Sequence, residues 1–397
     1  MTAASLHVRL IQTADQLKTF CDSALDASFL TIDTEFMREK TYYPQLCLVQ
    51  VATDKEAVVI DTLADGMDLS PLWDLFAVEG LPKVFHAASQ DLEIFANLAG
   101  ALPRDLFDTQ IAAMVLGMGD QIGYDKLIKE TTGEIIDKSS RYSDWAARPL
   151  SKRQIDYAAG DVTFLRDAYI DVQERIKQSG RGTWVDEEMA KVADLSRYQL
   201  DPMQVWKKLK VRSDKWRFLL VLQHLAAWRE RDAQRRDLPR GRILRDDTLL
   251  DIAGSEPTSV DALKSVRGVT PKMAEGSLGK HIIRAVNEAL AQPKESAPVV
   301  PRKKPLTDEQ SAKLSLLKML LSVCAANAGT AARLLANSAD LEELARNKPE
   351  TWSQIDVPCL SGWRAELFGD AALRLISGQI WIGFDQGAVS VRETAQL

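Results

Sequence analysis

The arrangement of apolar and polar positions divides the chain into two kinds of territory. Up to Ile176, short β-rich runs alternate with stretches of helical spacing. Phe29-Leu30-Thr31-Ile32 reads as a strand running into Asp33, Leu46 to Val51 as a second and Ala57 to Ile60 as a third, with turn residues at Tyr43-Pro44 and Thr53-Asp54 between them. Strands so closely spaced predict an antiparallel meander. Lys83-Val84-Phe85-His86 is a further short apolar strand, and Gln90 to Leu98, Thr109 to Leu116 and Arg153 to Ile176 carry apolar residues at the period of a helix. The expectation is a mixed α/β domain over residues 1–200.

From Pro202 onward the pattern is helical only. Trp216, Leu219, Leu220, Leu222 and Leu225 mark one apolar helix face, Leu249 to Ile252 a second helix and His281 to Leu290 a third, which together predict a small all-α bundle over 201–292. Pro293, Pro298, Pro301 and Pro305, mixed with Lys and Ser, break the periodicity and predict a linker over 293–305. Ser311 to Ala325 opens a second all-α bundle, expected over 306–390, nearly to the C-terminus. Ser277 to Val286 (SLGKHIIRAV) resembles Leu367 to Ile376 (LFGDAALRLI) in spacing and placement, so the two bundles read as distant copies.

Composition narrows the functional classes. At 397 residues, 46% hydrophobic and 27% charged, the chain has the make-up of a globular protein of several domains. No apolar run approaches the ~20 residues of a membrane span, and the start, Met1 to His7, has no basic segment ahead of an apolar core. Neither membrane insertion nor export is expected. Cys21, Cys47, Cys324 and Cys359 form no CxxC pair, which fits a reduced, cytoplasmic setting. His7, His86, His224 and His281 are too scattered for an imidazole metal site, so any metal is expected on oxygen. Charge is segregated: Met203 to Leu290 holds 18 Lys/Arg against 11 Asp/Glu, a surplus of +7 in a chain of net charge −6, so the remainder carries −13.

Three short pieces can carry chemistry. Asp33 and Glu35 stand two apart at the expected end of an apolar strand and so face one side. There they repel each other unless a cation lies between them, and a hard divalent ion takes carboxylate oxygen; a solvated strand end offers the same pattern by chance. Asp91 falls in the first turn of a helix, where a carboxylate also complements the helix dipole. Tyr157 and Asp161, four apart, share one helix face, as an ordinary surface pair would.

Taken in this order, the pieces resemble the three motifs of the DEDD exonuclease superfamily in its tyrosine subclass. The strings DTEF (33–36), YYPQLCLVQVA (42–52), VFHAASQDLEIF (84–95), FDTQIAA (107–113), YSDWAARPLS (142–151) and QIDYAAGDVTFL (154–165) are similar to the ribonuclease D family in content and sequence. The resemblance spans essentially the whole chain, because that family carries helical nucleic-acid-binding HRDC modules after its catalytic domain. It implies a ribonuclease H-like α/β exonuclease domain followed by two all-α HRDC-like bundles, the second degenerate. It also implies two divalent cations, Mg²⁺ or Mn²⁺, held by Asp33, Glu35, Asp91 and Asp161, with Tyr157 positioning the attacking water. The implied activity is 3′→5′ removal of 5′-mononucleotides from RNA with a free 3′ end, tRNA precursors and other structured RNAs included. A monomer with no small-molecule cofactor is expected. Two ions ~3.5–4 Å apart can clamp an in-line displacement, and four carboxylates nearly cancel their charge. A tyrosine of pKa about 10 orients water rather than deprotonating it.

Neighbouring residues admit plainer readings. Asp108 is expected as a helix N-cap before Thr109-Gln110 rather than a fifth ligand. Thr34, Met37 and His86 are candidate substrate contacts, although a lone His after an apolar strand equally fits a structural histidine, and Phe36 fits core packing. Trp145 and Arg148-Pro149-Leu150 are expected to set the loop before the Tyr157 helix. From Met203 to Arg245, 13 Lys/Arg face 4 acids, with Trp206, Trp216 and Trp228 interleaved. Lys207, Lys208, Arg212, Arg229, Arg235, Arg236 and Arg240 belong to this run, and Lys272 to a Gly-punctuated turn beyond it. Lys207, Lys208, Arg235, Arg236 and Lys272 are the candidate phosphate contacts of a face that binds without selecting sequence; a solvated face over core tryptophans is the alternative. Two other functions share the motifs: a proofreading DNA exonuclease, disfavoured by the absence of a polymerase or helicase domain, and a non-catalytic RNA-binding scaffold, which would have lost one of the five site residues.

Overall fold

A computed structural model of the chain describes residues 6–136, 143–211, 213–300, 304–385 and 387–394. Tyr142, Arg212, Pro301 and the first five residues lie outside the described residues. The first unit runs β1 (His7–Ile11), α1 (Ala14–Ala24), β2 (Leu30–Met37), β3 (Gln45–Ala52), β4 (Glu56–Asp61), α2 (Ser70–Phe76), β5 (Lys83–Phe85), α3 (Ser89–Ala99), β6 (Leu106–Asp108), α4 (Thr109–Val115), α5 (Tyr124–Thr132), α6 (Lys152–Ser179) and α7 (Gly182–Val192). Among the described residues its strands form one sheet in the order β1-β4-β3-β2-β5-β6.

The predicted meander is the centre of that sheet: β2 and β4 both pair antiparallel with β3, while β1 joins β4 and β5 joins β2 in parallel. Helix α6 crosses β4, β3, β2 and β5 on one face. Leu17 and Phe20 of α1, Leu72 and Leu75 of α2 and Leu92 and Phe95 of α3 join Ile32, Val49, Val51 and Ile60 in a core on the other. Strand β2 departs from expectation in one respect. It does not end at Asp33 but continues to Met37, through a register shift between Glu35 and Phe36, so the acidic pair is mid-strand.

The helical region begins with a 3₁₀ turn, Pro202–Lys208, and continues as α8 (Trp216–Arg236), α9 (Arg240–Ile243), α10 (Asp246–Ser255), α11 (Val260–Lys264), α12 (Pro271–Glu275) and α13 (Ser277–Leu290) around a second core. Ala297 and Val300 pack against that same core, so the stretch as far as Val300 lies along the first bundle. The next helices are α14 (Asp308–Ala328), α15 (Ala332–Leu335) and α16 (Ser338–Arg346), which enclose a third core with Trp352, Trp363 and Phe368. The starts of α14, α15 and α16 follow those of α8, α9 and α10 by 92 residues each: 216 to 308, 240 to 332, 246 to 338. Asp237 and Gly329, also 92 apart, are left-handed caps of the two long helices. Gly279 and Gly369, which hold matching places in the two similar strings, sit against backbone: an added Cβ would lie 2.0 Å from Ala274 O and 2.3 Å from Cys359 O.

The second bundle is not all-α to its end. Residues Ile380–Asp385 (β7) and Ala388–Glu393 (β8) form an antiparallel hairpin, with Gly387 in the left-handed region at its turn. Its alternating apolar positions, Ile380, Ile382, Phe384 and then Val389, Val391, span only six residues in each strand. The expected helical span over 306–390 is corrected accordingly.

Each bundle docks on the first unit through the corner where its first long helix ends. In the first bundle the Asp237 carboxylate accepts from the backbone N–H groups of Tyr42 and Tyr43, each at 3.0 Å. The Tyr42 hydroxyl donates to Glu230, which Arg240 also binds at 2.5 Å while covering the Tyr42 ring. In the second bundle Arg181 donates to the carbonyls of Val115 and Gly329, each at 2.7 Å, and to that of Ala328. Ala331 N donates to Met114 O at 2.9 Å, and Gly117 admits the approach because a Cβ there would lie 2.5 Å from Gly329 O. Trp184 stacks on Trp363, whose indole N–H donates to Glu187.

Candidate active site

Strand alternation puts Thr31, Asp33 and Glu35 on the face that α6 covers. The Thr31 hydroxyl donates to Val162 O at 2.8 Å, which ties the strand to α6 beside Asp161. A capping box between Ser151 and Gln154 fixes where α6 begins, and Tyr124 donates to the carbonyls of Gly160 and Asp161 at 3.1 and 2.8 Å. These bonds set the height of Tyr157 and Asp161 over the sheet.

The result is a convergence of Asp33, Glu35 and Asp161, each offering a carboxylate oxygen, all within 4.8 Å of one another. It is the only such group of three or more metal-ligating side chains among the described residues. Each acid keeps one edge open to a cleft of about 1020 Å³, lined also by Met37, Trp145 and Tyr157. Burial, and then the charge of Asp161, push the Asp33 carboxyl well above its usual range; burial raises that of Asp161 to about 7. Oxygen donors crowded this closely suit a hard divalent cation, whose charge removes the repulsion.

Asp91 is placed differently. It is buried in the first turn of α3 and stands outside the group of three, and its carboxylate accepts from the Thr34 hydroxyl. Burial, and then Asp33, raise its pKa, so it adjoins the cluster. Thr34 therefore lines the cleft with its hydroxyl committed to Asp91. His86 also lines the cleft, but both ring nitrogens are engaged, Nδ1 with Thr109 Oγ1 at 3.0 Å and Nε2 with Ile122 O at 3.1 Å. Burial, against the pull of Asp108, lowers its pKa and favours the neutral ring. Asp108 is the N-cap of α4 and accepts from Gln110, Ala87 and Ala88 backbone N–H groups. Arg148 pairs with Asp61 at 2.6 Å and donates to Trp145 O, which holds Trp145 6.0 Å from the Tyr157 ring.

The candidate phosphate-binding residues lie apart from the cleft. Lys207 and Lys208 are exposed at the end of the 3₁₀ turn, Arg235 and Arg236 are exposed in the last turn of α8 and both bind Asp232, and Lys272 is exposed in the first turn of α12. The basic run is less free than its composition suggested. Arg229 is buried against Asp246 and Leu244 O, and Arg240 is spent on Glu230. Trp206 is a core residue, and Trp228 stacks on His281.

Two features of the cleft carry no motif in the sequence: Tyr124, and the exposed Arg38 to Lys40 segment, in which Arg38 pairs with Glu93 at 2.6 Å. Their only signal was position beside the acidic strand or before the Tyr157 helix. A 3′-5′ exonuclease family model matches residues 8–177 and an HRDC domain model matches residues 218–286. The chain is 47% identical to ribonuclease D of Gluconacetobacter diazotrophicus over 95% of its own length and 94% of that protein's, and 45% identical to that of Granulibacter bethesdensis over the same shares. The chain belongs to the ribonuclease D family. It is accordingly a 3′→5′ exoribonuclease, a metal-dependent hydrolase of RNA. The crystal structure of Escherichia coli RNase D, described as an exoribonuclease involved in structured RNA processing, superposes with a TM-score of 0.78 at 30% identity, covering 94% of this chain and 99% of that one. Its α/β exonuclease unit and following helical HRDC region match the architecture described above. No helix among the described residues is long and apolar enough to cross a membrane.

Proposed function

We propose that this ribonuclease D family member trims the 3′ ends of structured RNAs, tRNA precursors among them, by releasing one 5′-mononucleotide at a time as a cytoplasmic monomer. The observation that carries the site is the meeting of Asp33, Glu35 and Asp161 within 4.8 Å. Asp33, Glu35 and Asp161 would hold one divalent ion, Mg²⁺ or Mn²⁺, and Asp91, one step behind through Thr34, would complete the setting for a second. Two such ions would supply activation of water and charge stabilisation at the departing 3′-oxygen. Tyr157, one turn before Asp161, holds the attacking water by hydrogen bonding. Trp145 and Met37 wall the cleft and favour a terminal base over a continuous duplex.

We further infer that the chain divides into an exonuclease domain to residue 200, a basic HRDC-like bundle over 201–292 and a connecting stretch over 293–305. A diverged copy of the bundle begins at 306 and closes with the β7–β8 hairpin. The constant 92-residue offset and the paired glycines support the duplication. The first bundle anchors the RNA body through Lys207, Lys208, Arg235, Arg236 and Lys272.

The test is mononucleotide release from matched ribo- and deoxyribo-oligonucleotides with Mg²⁺ or Mn²⁺, with Asp33→Asn and Asp161→Asn as controls. Each substitution removes a proposed ligand, so the loss should exceed the ~10–100-fold typical of outer partners. Full activity in either variant rejects the site; equal or faster DNA cleavage rejects the substrate class.

A further inference from the structure

Strand β3 carries an anomaly directly opposite the acidic pair. Gln50 is fully buried, and neither its amide nitrogen nor its amide oxygen has a hydrogen-bond partner. Among the described residues no other buried side chain of the six-stranded sheet is in this condition. Burying an amide without partners is unfavourable, and an orphaned polar group in a native interior calls for a specific reason.

The sheet register supplies one. Asp33 is the antiparallel partner of Gln50 on β2, and Val59 its partner on β4. Directly paired residues point to the same face, with Cβ atoms ~4.5–5.5 Å apart, so the Gln50 amide lies beside the Asp33 side chain under α6. Two apolar clusters occupy the same face, one with Leu48, Val59 and Ala158, the other with Ala52, Ala57 and Val162. The paired neighbour on β2, Asp33, offers the amide a carboxylate acceptor.

We propose that Gln50 is a positioning residue for Asp33: its amide N–H donates to the Asp33 oxygen turned away from the metal, and so orients the carboxylate for cation binding. This rests on the metal-site reading above. Partners of this outer kind fix the direction of a ligand and tune its affinity, and their loss costs about 10–100-fold in metal binding. The Asp33 carboxylate lies within 4.8 Å of those of Glu35 and Asp161, and the amide has no partner.

The proposal predicts two effects of opposite sign in Gln50→Leu, read without any assay of cleavage. Thermal melting of the metal-free protein should hold or rise, because an unsatisfied amide is replaced by an apolar group. Mn²⁺ binding, followed by calorimetry or by the electron paramagnetic resonance signal of free Mn²⁺, should weaken about 10–100-fold. Val59→Ala, a cavity on the same face, is the packing control: its melting point should fall while Mn²⁺ affinity stays within about threefold. Unchanged affinity in Gln50→Leu overturns the proposal. So does a joint loss of melting point and affinity in both variants, which would make Gln50 a packing residue. Wild-type protein that takes up no Mn²⁺ would sink the metal-site reading itself, whereas uptake abolished by Asp33→Asn but untouched by Gln50→Leu would sink only the role of Gln50.

Discussion

Asp33, Glu35 and Asp161 face one another across a strand and a helix, and burial raises the carboxyl pKa of Asp33 and of Asp161. For Asp161 the consequence is measurable. Its pKa is about 7 in the metal-free fold against an ordinary 3.8. A raised carboxyl contributes stability that is complete below the unfolded value and is lost as pH climbs through the folded one. Metal-free protein should therefore lose stability between about pH 4 and 7 relative to Asp161→Asn, measured by denaturant titration at several pH values. Mn²⁺ should cancel the loss, and its own affinity should rise over the same interval. The four carboxylates and Tyr157 are named together through the order of their motifs and the family resemblance it carries, since each piece alone also fits a plainer reading. Thr34 and His86 were read as substrate contacts, yet their polar atoms serve Asp91, Thr109 and Ile122. A side chain's partner is not visible in its own identity.

At the scale of elements, α6 is positioned by bonds that no motif encodes. The Tyr124 hydroxyl reaches two of its carbonyls at mid-helix, and removing it in Tyr124→Phe should cost about 1 kcal/mol of stability. The drop in kcat should be larger than that loss explains, with KM for a short oligonucleotide little changed, because Tyr157 and Asp161 ride on the same turns. In the bundles, Gly279→Ala and Gly369→Ala each push a methyl into a backbone carbonyl. Each should destabilise by about 1–3 kcal/mol in chemical denaturation. Similar costs at the two sites are expected if the bundles descend from one another; a silent Gly369→Ala would count against it. Helix periods were strong enough to find α6, α8, α13 and α14. The edge strand β1, the three-residue β6 and the hairpin β7–β8 are too short for a period to declare itself.

For the whole molecule, separation of charge carries the division of labour. Arg235 and Arg236 are exposed but share Asp232, so charge reversal would place repelling groups beside a buried acid. Arg235→Gln with Arg236→Gln is the cleaner change. It should weaken binding of a long RNA and flatten its salt dependence by ~0.7 for each phosphate no longer neutralised. Cleavage of oligomers too short to reach the bundle should hold near the wild-type rate, and equal impairment on both substrates would contradict a remote anchor. Both bundles grip the exonuclease unit through the residue that caps their first long helix, Asp237 on Tyr42 and Tyr43, and Gly329 through Arg181. The first of these grips holds the chain just beyond Arg38 to Lys40, at the mouth of the cleft.

The linear chain determined which elements form and which family the chain resembles, because both are written in local patterns: the period of apolar residues selects strand or helix, and the ordered strings around Asp33, Asp91 and Tyr157 carry the resemblance that implies the reaction. Only the tertiary structure decided which acids converge and which bonds a threonine instead, which arginines are exposed and which are buried in pairs, and that Gln50 has no partner. Those outcomes depend on distances between segments far apart in sequence, and such distances are fixed by strand register and helix packing, which no short stretch of residues contains.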